Sequence, residues 1–171
     1  MSAVLQNRKA ALPYALLLTF GLAATVGSAL GFEHIGGYIP CALCLLERLP
    51  YYYGIPVAGL AVVSAALGGP AWLTRGLLLI VGIMMLVGAG MGVYHAGAEW
   101  GFWEGPSTCA TSAQAVTQNA GDLLGDLDAK KPPSCTEASL RVLGLSFAGW
   151  NVIASLLFAA IAFAGVRARK V

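Results

Sequence analysis

Four long apolar stretches constrain this chain more than any other feature of its sequence. They cover residues 12–32, 49–67, 76–98 and 142–166. Each is roughly 19 to 25 residues long, enough for a helix to cross a hydrocarbon core of about 30 Å. Only 11% of the residues are charged, against about 25% in soluble domains. The sequence therefore predicts an all-α polytopic membrane protein, in which residues 1–171 form one bundle of four transmembrane helices, and it excludes a soluble globular domain.

The charged residues are sorted between the two sides that four spans create. Both termini and the turn at 68–75 fall on one side, and the loops 33–48 and 99–141 fall on the other. The first side contains no acid and has these basic residues: Arg8, Lys9, Arg75, Arg167, Arg169 and Lys170. All 8 acidic residues lie in the two loops. By the positive-inside rule, the termini are predicted to be cytoplasmic and both loops extracytoplasmic.

Glycine and proline patterns refine the expected bundle. Gly27 and Gly31, and again Gly88 and Gly92, form small-xxx-small pairs that allow helices to approach closely. We expect these pairs to pack the four helices of a monomer, with a homodimer contact as the alternative. Pro50 and Pro56 interrupt the second stretch, so this segment either kinks or begins its span near Pro50.

The first stretch follows two basic residues, as the core of a signal peptide does. Its apolar run is longer than the roughly 7 to 15 residues of such a core, and no polar cleavage region follows it. We therefore expect it to be retained as a membrane anchor.

All four cysteines lie on the predicted outer side: Cys41, Cys44, Cys109 and Cys135. This placement is typical of an oxidising compartment, and two structural disulfides are the simplest interpretation. The Cys41-Ala42-Leu43-Cys44 spacing instead favours a redox pair, because its disulfide closes too small a loop to stabilise the fold much. Pro40 also predicts that a helix begins near Cys41, where unpaired backbone N–H groups favour a thiolate.

Arg48 strengthens the redox interpretation. It lies four residues after Cys44 and seven after Cys41, so a helix would place all three on one face. There its guanidinium could stabilise a thiolate and the anion formed on a lipid-soluble electron acceptor. Two simpler interpretations stay open, namely an exchange with Glu47 at the solvent boundary and an arginine that reaches lipid phosphates.

The order of these motifs resembles a known family. The segment Cys41–Arg48 before the second of four spans is similar to the signature of the disulfide bond formation protein B (DsbB) family, the quinone-dependent thiol oxidases of the bacterial inner membrane. The segment Trp103–Cys109 is similar to that family's approach to its second redox pair, which Cys135 would complete. Leu143–Asn151 resembles its entry to the fourth span.

The resemblance implies an electron relay with Cys41, Cys44, Cys109 and Cys135 as catalytic residues. A periplasmic DsbA-type thiol oxidase would attack a Cys109–Cys135 disulfide at Cys109, and Cys135 would then exchange with Cys41. Cys44 would face a quinone, ubiquinone or menaquinone, drawn from the membrane pool. The implied localisation is a bacterial inner membrane, with periplasmic cysteine loops.

Two residues are predicted to bind the quinone, Arg48 and His95. His95 ends the third apolar stretch and roughly matches a histidine that the family carries near its quinone site, so it could donate a hydrogen bond to a quinone oxygen. A histidine satisfied by water or lipid headgroups at the interface is the alternative.

Other classes fit the sequence less well. The main alternative is a non-catalytic four-span scaffold whose loops are held by structural disulfides. Vitamin K epoxide reductase-like proteins are a further alternative, but they place their CxxC late in the chain, whereas here it lies at Cys41–Cys44. No metal is expected, because structural zinc sites use closely spaced ligands and Cys109 lies far from Cys135. Leu45 follows Cys44 and excludes a c-type haem site. The net charge of +2 gives no reason to expect nucleic acid as a partner.

Overall fold

Four helices dominate the computed structural model, which describes residues 10–105, 135, 136, 138 and 140–168. The helices are α1 (Leu12–His34), α2 (Ala42–Ala66), α3 (Ala71–Glu99) and α4 (Phe147–Arg167). A short antiparallel hairpin of β1 (Arg141–Val142) and β2 (Leu145–Ser146) precedes α4. All four helices are long and apolar enough to cross a membrane, so the predicted four-helix membrane bundle is confirmed.

Local sequence explains where these helices begin. Cys41 is the N-cap of α2, and its Sγ accepts a hydrogen bond from the Cys44 N–H at 3.3 Å. Ser146 is the N-cap of α4, and its Oγ accepts from the Gly149 N–H at 3.2 Å. Pro13 lies in the first turn of α1, where its missing N–H would have had no helical partner. The helix start predicted beside Cys41 is therefore present.

Three helix starts differ from the starts of the apolar stretches, and one of them is that of α3, which begins at Ala71 and not at residue 76. The helix α2 begins at Ala42 and continues through Pro50 and Pro56 to Ala66, so the predicted outer loop from 42 to 48 forms its first two turns. The helix α4 begins only at Phe147, because the preceding hairpin turns at Leu143 and Gly144, whose φ angles are 54° and 85°. Hydropathy alone marks where a chain is apolar and cannot locate a cap or a tight turn.

The bundle has an apolar interior and an equally apolar exterior. The helix α3 packs against α2 and α4, and α1 packs against α2 and less extensively against α4. Fully buried core side chains include Leu18, Leu22, Leu78, Val81 and Met85. Large apolar side chains also cover the outside, among them Phe20, Leu60, Ile83, Val87 and Leu157. Helices that are apolar on all sides are typical of a protein that lies in lipid.

The two glycine pairs have different surroundings. A Cβ at Gly92 would lie 2.9 Å from Val152 Cγ2, and one at Gly88 would lie 3.2 Å from Ser155 Oγ. The close contact of α3 with α4 thus depends on glycine, as predicted. A Cβ at Gly27 or Gly31 would meet no described atom within 4 Å, so the expectation that this pair packs the helices of the bundle is wrong.

Candidate functional site

Cys41 and Cys44 lie together at the N-terminal end of α2. Their sulfur atoms are 2.9 Å apart, and both residues carry free thiols. Cys41 is only 2% exposed, whereas Cys44 is half-buried. The hydrogen bond with the Cys44 thiol does most to lower the pKa of Cys41, which falls to about 4 even though burial raises it. Cys41 is therefore the more buried and more acidic thiol of the pair, and Cys44 is the more accessible sulfur.

Cys135 lies directly beside this pair, although it is far away in sequence. It is 1% exposed, is disulfide-bonded and packs in a small cluster with Cys41 and Leu43. The sulfur atoms of Cys41 and Cys135 and one ring nitrogen of His95 all lie within 4.8 Å of one another. This spacing suits thiol–disulfide exchange, and it could also hold a metal ion if Cys135 were a free thiolate. Cys109 lies outside the described residues.

His95 joins the sulfur atoms to a buried carboxylate. Its Nε2 is 3.7 Å from Cys41 Sγ, and its Nδ1 is 2.8 Å from Glu47 Oε1. His95 is 2% exposed and Glu47 is 6% exposed, so water contributes little to either contact. Cys41, His95 and Glu47 therefore form a continuous polar chain from α2 to α3 and back.

A second group of polar side chains fixes Glu47 from the α4 side. Asn151 Nδ2 donates to Glu47 Oε2 at 3.0 Å, and the Tyr51 hydroxyl donates to Asn151 Oδ1 at 2.7 Å. Ser155 Oγ lies 2.8 Å from the same tyrosine oxygen. Both carboxylate oxygens of Glu47 thus have partners, as a buried acid requires.

Glu99 adds another acid at this end of α3. Its Oε1 lies 3.8 Å from His95 Nε2, and its side chain is 5% exposed. Its Oε2 has no hydrogen-bond partner within the described part of the chain. His95 is consequently bordered by two carboxylates and by the sulfur of Cys41.

Arg48 pairs with a residue that the sequence did not suggest. Its Nη1 donates to Glu33 Oε2 at the end of α1, and the two side chains are 14% and 25% exposed. Arg48 is thus held one helical turn after Cys44 by a partner on another helix, and Glu47 points instead toward His95. The interpretation in which Arg48 exchanges between Glu47 and solvent does not match this geometry.

An aromatic side chain covers the end of α3 near the site. Trp103 lies over Gly97, where an added Cβ would collide with the indole ring, and its Nε1 donates to the Tyr94 carbonyl at 2.8 Å. The Tyr94 and Trp103 rings stack with centroids 5.9 Å apart. This contact fixes the first residues of the second loop on top of the bundle.

The structure brings together four of the predicted site residues: Cys41, Cys44, Cys135 and His95. Sequence reasoning missed Glu47, Asn151 and Tyr51 as their partners. For Asn151 and Tyr51 the available signal was that polar side chains within apolar spans face the bundle interior and pair there. Glu47 lay in the predicted loop 33–48, so this signal did not apply to it.

Comparison with known proteins identifies the family. The family model for disulfide bond formation protein DsbB matches residues 11–165. The disulfide bond formation protein B of Marinobacter nauticus is 31% identical over 77% of this chain and 77% of its own length. That of Actinobacillus pleuropneumoniae is 29% identical over 84% of this chain and 79% of its own length.

An uncharacterised protein of Rickettsia prowazekii, RP370, is also similar, with 24% identity over 82% of this chain and 78% of its own length. No solved structure matches the chain significantly. The family match covers α1, α2, α3, the loops and α4 as far as Gly165, including the Cys41–Cys44 pair and Cys135. This chain therefore belongs to the DsbB family of disulfide bond formation proteins.

Proposed function

We propose that this protein is a membrane thiol:quinone oxidoreductase that reoxidises a periplasmic DsbA-type dithiol oxidase. Electrons would enter at Cys109 and Cys135, pass to Cys41 and Cys44, and leave to a membrane quinone. The family membership supports a role in disulfide formation. To that role we add a DsbA-type protein as the partner, an order of electron transfer through the cysteines, and a membrane quinone as the electron acceptor.

One observation carries the proposal: Cys41 Sγ lies within 4.8 Å of Cys135 Sγ. Two purely structural disulfides would have no reason to place their sulfur atoms in exchange distance of one another. Thiol–disulfide exchange requires a thiolate that can reach a disulfide sulfur. The low pKa of Cys41, about 4, means that it leaves readily as a thiolate when Cys109 attacks Cys135 in a Cys41–Cys135 mixed disulfide.

The electrons and protons balance over four exchanges. A partner thiolate attacks Cys109, which frees Cys135, and the second partner thiol then resolves the mixed disulfide to leave an oxidised partner. Cys135 attacks Cys41, which frees Cys44, and Cys109 then attacks Cys135, which restores that disulfide and releases Cys41. The result is a reduced Cys41–Cys44 pair that holds the two electrons and two protons of the partner dithiol.

The surroundings of Cys44 fit a lipid-soluble electron acceptor. Cys44 is half-buried at the end of α2, and its neighbours Leu45, Leu46 and Leu49 expose 42 to 46% of their surface to the outside of the bundle. Arg48, one turn further along α2, would hold a quinone oxygen through its guanidinium. A quinone supplies an acceptor for two electrons and two protons, which restores the Cys41–Cys44 disulfide.

Turnover is the direct test of this function. Purified protein is mixed with a reduced DsbA-type oxidase and a soluble ubiquinone or menaquinone analogue, and quinone reduction and partner oxidation are followed together. We expect one disulfide in the partner for each quinone reduced. Absence of turnover with both quinone types would eliminate the oxidoreductase and leave a structural role for the cysteines.

The proposed sidedness, with cytoplasmic termini and periplasmic cysteines, has its own test. Intact spheroplasts are reduced and treated with a membrane-impermeant maleimide, with permeabilised cells as the control. We expect Cys109 to be labelled without permeabilisation, whereas Cys135 is too buried to serve as a reporter. Labelling that requires permeabilisation would reverse the topology.

A further inference from the structure

His95 is positioned to act on a cysteine. Its Nε2 is 3.7 Å from Cys41 Sγ, its Nδ1 is 2.8 Å from Glu47, and only 2% of its surface is exposed. A histidine that a carboxylate orients on one ring nitrogen and that faces a thiol with the other has the arrangement of an activated nucleophile.

We propose that His95 is the proton acceptor for the Cys41 thiol, and that Glu47 is the positioning residue that directs its Nε2 toward the sulfur. This inference rests on the proposed function, since it concerns the regeneration of the Cys41–Cys44 disulfide. It assigns His95 to the sulfur chemistry and leaves Arg48 as the residue beside the quinone.

Glu47 determines which ring nitrogen is free to accept a proton. As a carboxylate it accepts a hydrogen bond from Nδ1–H, so the lone pair of His95 lies on Nε2, the nitrogen that faces Cys41. A carboxylate next to the ring also stabilises the imidazolium that forms when the thiol proton is transferred. Asn151, bonded to the other oxygen of Glu47, fixes the carboxylate itself.

The charges around His95 all favour a cation there. Glu47 faces the ring from α2, Glu99 faces it from the same helix, and Cys41 and Cys135 are the sulfur neighbours. In the described part of the chain neither acid forms an ion pair with a lysine or arginine. A proton received from Cys41 therefore enters a site that two carboxylates border and that has no competing lysine or arginine among the described residues.

His95 serves the step in which the Cys41–Cys44 dithiol is oxidised to a disulfide. Both S–H bonds break, the proton of Cys41 goes to His95 Nε2, the proton of Cys44 goes to the acceptor, and an S–S bond forms between the two sulfur atoms as they give up two electrons. The two electrons of the dithiol pass to the quinone, which becomes a quinol. Its two protons derive from the two thiols, and the one from Cys41 travels by way of His95.

The test combines a thiol titration with steady-state kinetics. For the titration, Cys44, Cys109 and Cys135 are replaced by Ser, and the rate of Cys41 alkylation by iodoacetamide is followed against pH. The variants His95→Asn and Glu47→Gln are compared with this background. His34→Asn is the matched control, because His34 is an exposed histidine at the end of α1.

We expect His95→Asn to raise the pH midpoint of Cys41 alkylation by at least one unit, so that the thiolate fraction below the midpoint falls about tenfold. Glu47→Gln keeps the size of the side chain and should raise the midpoint less, while the control leaves it unchanged. In turnover by the otherwise native protein, both variants should lower kcat and leave the KM for quinone unchanged.

Two outcomes would overturn the inference. An unchanged midpoint in both variants would show that His95 does not act on Cys41, and a raised KM for quinone with a normal midpoint would make His95 a quinone ligand. If His95→Asn does not fold, Glu47→Gln tests the same point. A wild-type protein that reduces no quinone would instead refute the proposed function, and the titration would still report on the pairing of Cys41 with His95.

Discussion

The two ends of the bundle bury polar groups in different ways. At the turn between α2 and α3, Ser64 Oγ and Thr74 Oγ1 lie 2.9 Å apart, and the Ser64 carbonyl accepts from the Gly69 N–H at 2.7 Å. These neutral partners are close in sequence and satisfy each other. At the opposite end, Glu47 and His95 are ionisable and join residues from three helices. At one end, neutral hydrogen bonds stabilise a turn, whereas at the other end, ionisable side chains from different helices hold one another in fixed positions.

The difference in chemistry implies a difference in cost. A neutral hydroxyl pair contributes about 1 kcal/mol to stability, and an ionisable group inside a membrane protein is expensive unless it is fully paired. Between the two ends lies an apolar core that includes Leu78, Val81 and Met85. This core stabilises the bundle independently of the polar groups at either end. We therefore attribute the buried ionisable groups at the Cys41 end to the proposed function, and the Ser64–Thr74 pair at the turn end to stability.

Replacing single cysteines should separate the two proposed redox pairs, and we expect it to have the largest effect of any change. We expect Cys41→Ser or Cys44→Ser to abolish quinone reduction with every electron donor. Cys109→Ser or Cys135→Ser should abolish oxidation of the protein partner only, because a small dithiol can still reach Cys44. Turnover is measured with both donors. Normal oxidation of the protein partner by Cys109→Ser would contradict the order of transfer.

Replacing Arg48 should produce the next largest effect. A donor in a water-poor site typically contributes about 3 to 4 kcal/mol to the chemical step, so Arg48→Met should slow quinone reduction by up to roughly a hundredfold. Arg48→Lys keeps the positive charge but lacks the planar guanidinium with its paired donors, so it should retain more activity than Arg48→Met. The readout is kcat and KM over a quinone titration, normalised to folded protein.

Glu33→Gln is the matched control for Arg48, because it weakens their ion pair and keeps the arginine charge. Glu33 is 25% exposed, so we expect only a small change in turnover. An equal loss in Glu33→Gln and Arg48→Met would mean that the pair matters as a structural contact between α1 and α2. Unchanged kinetics in Arg48→Met would make the arginine a membrane anchor.

Tyr51→Phe tests how far the polar chain at the Cys41 end depends on the hydroxyl group of Tyr51. Removing the hydroxyl deprives Asn151 Oδ1 of its 2.7 Å donor and Ser155 of a partner. We expect a loss of about 1 to 3 kcal/mol in stability and a several-fold fall in turnover, since Asn151 orients Glu47. Thermal unfolding in detergent and kcat provide the two readouts. A loss of stability with turnover unchanged would show that Tyr51 contributes to the fold and not to the activity of the site.

Ser64→Ala probes the turn end and should have the smallest effect. It leaves the buried Thr74 hydroxyl without its partner, which should cost about 1 kcal/mol of stability. The double variant Ser64→Ala with Thr74→Val should recover part of that loss, because it removes both polar groups. Turnover per folded molecule should stay at the wild-type value in both. A fall in turnover would show that the two ends are coupled through the core.

The sequence was sufficient to predict the four spans and the helix start at Cys41, because hydropathy and the Pro40-Cys41 capping pattern are local properties. It was not sufficient to predict that Glu47 faces His95 or that Arg48 reaches Glu33. Those contacts depend on the rotation of each helix, and helices that are apolar on every side carry no periodic signal for rotation. The proximity of Cys135 to Cys41 is also a property of the assembled bundle, so it followed only from the family resemblance.

Two described residues of the second loop that are far apart in sequence lie side by side. A Cβ at Gly105 would lie 3.8 Å from Cys135 Cβ and 3.1 Å from Thr136 Cγ2, so the described residues that flank the stretch 106–134 are in contact. When the ends of a segment already meet, its closure entropy depends only weakly on length, about 0.6 kcal/mol for each doubling. Insertions between these two anchors should therefore be inexpensive in stability. The segment offers a natural place to introduce a reporter or an epitope without disturbing the bundle below.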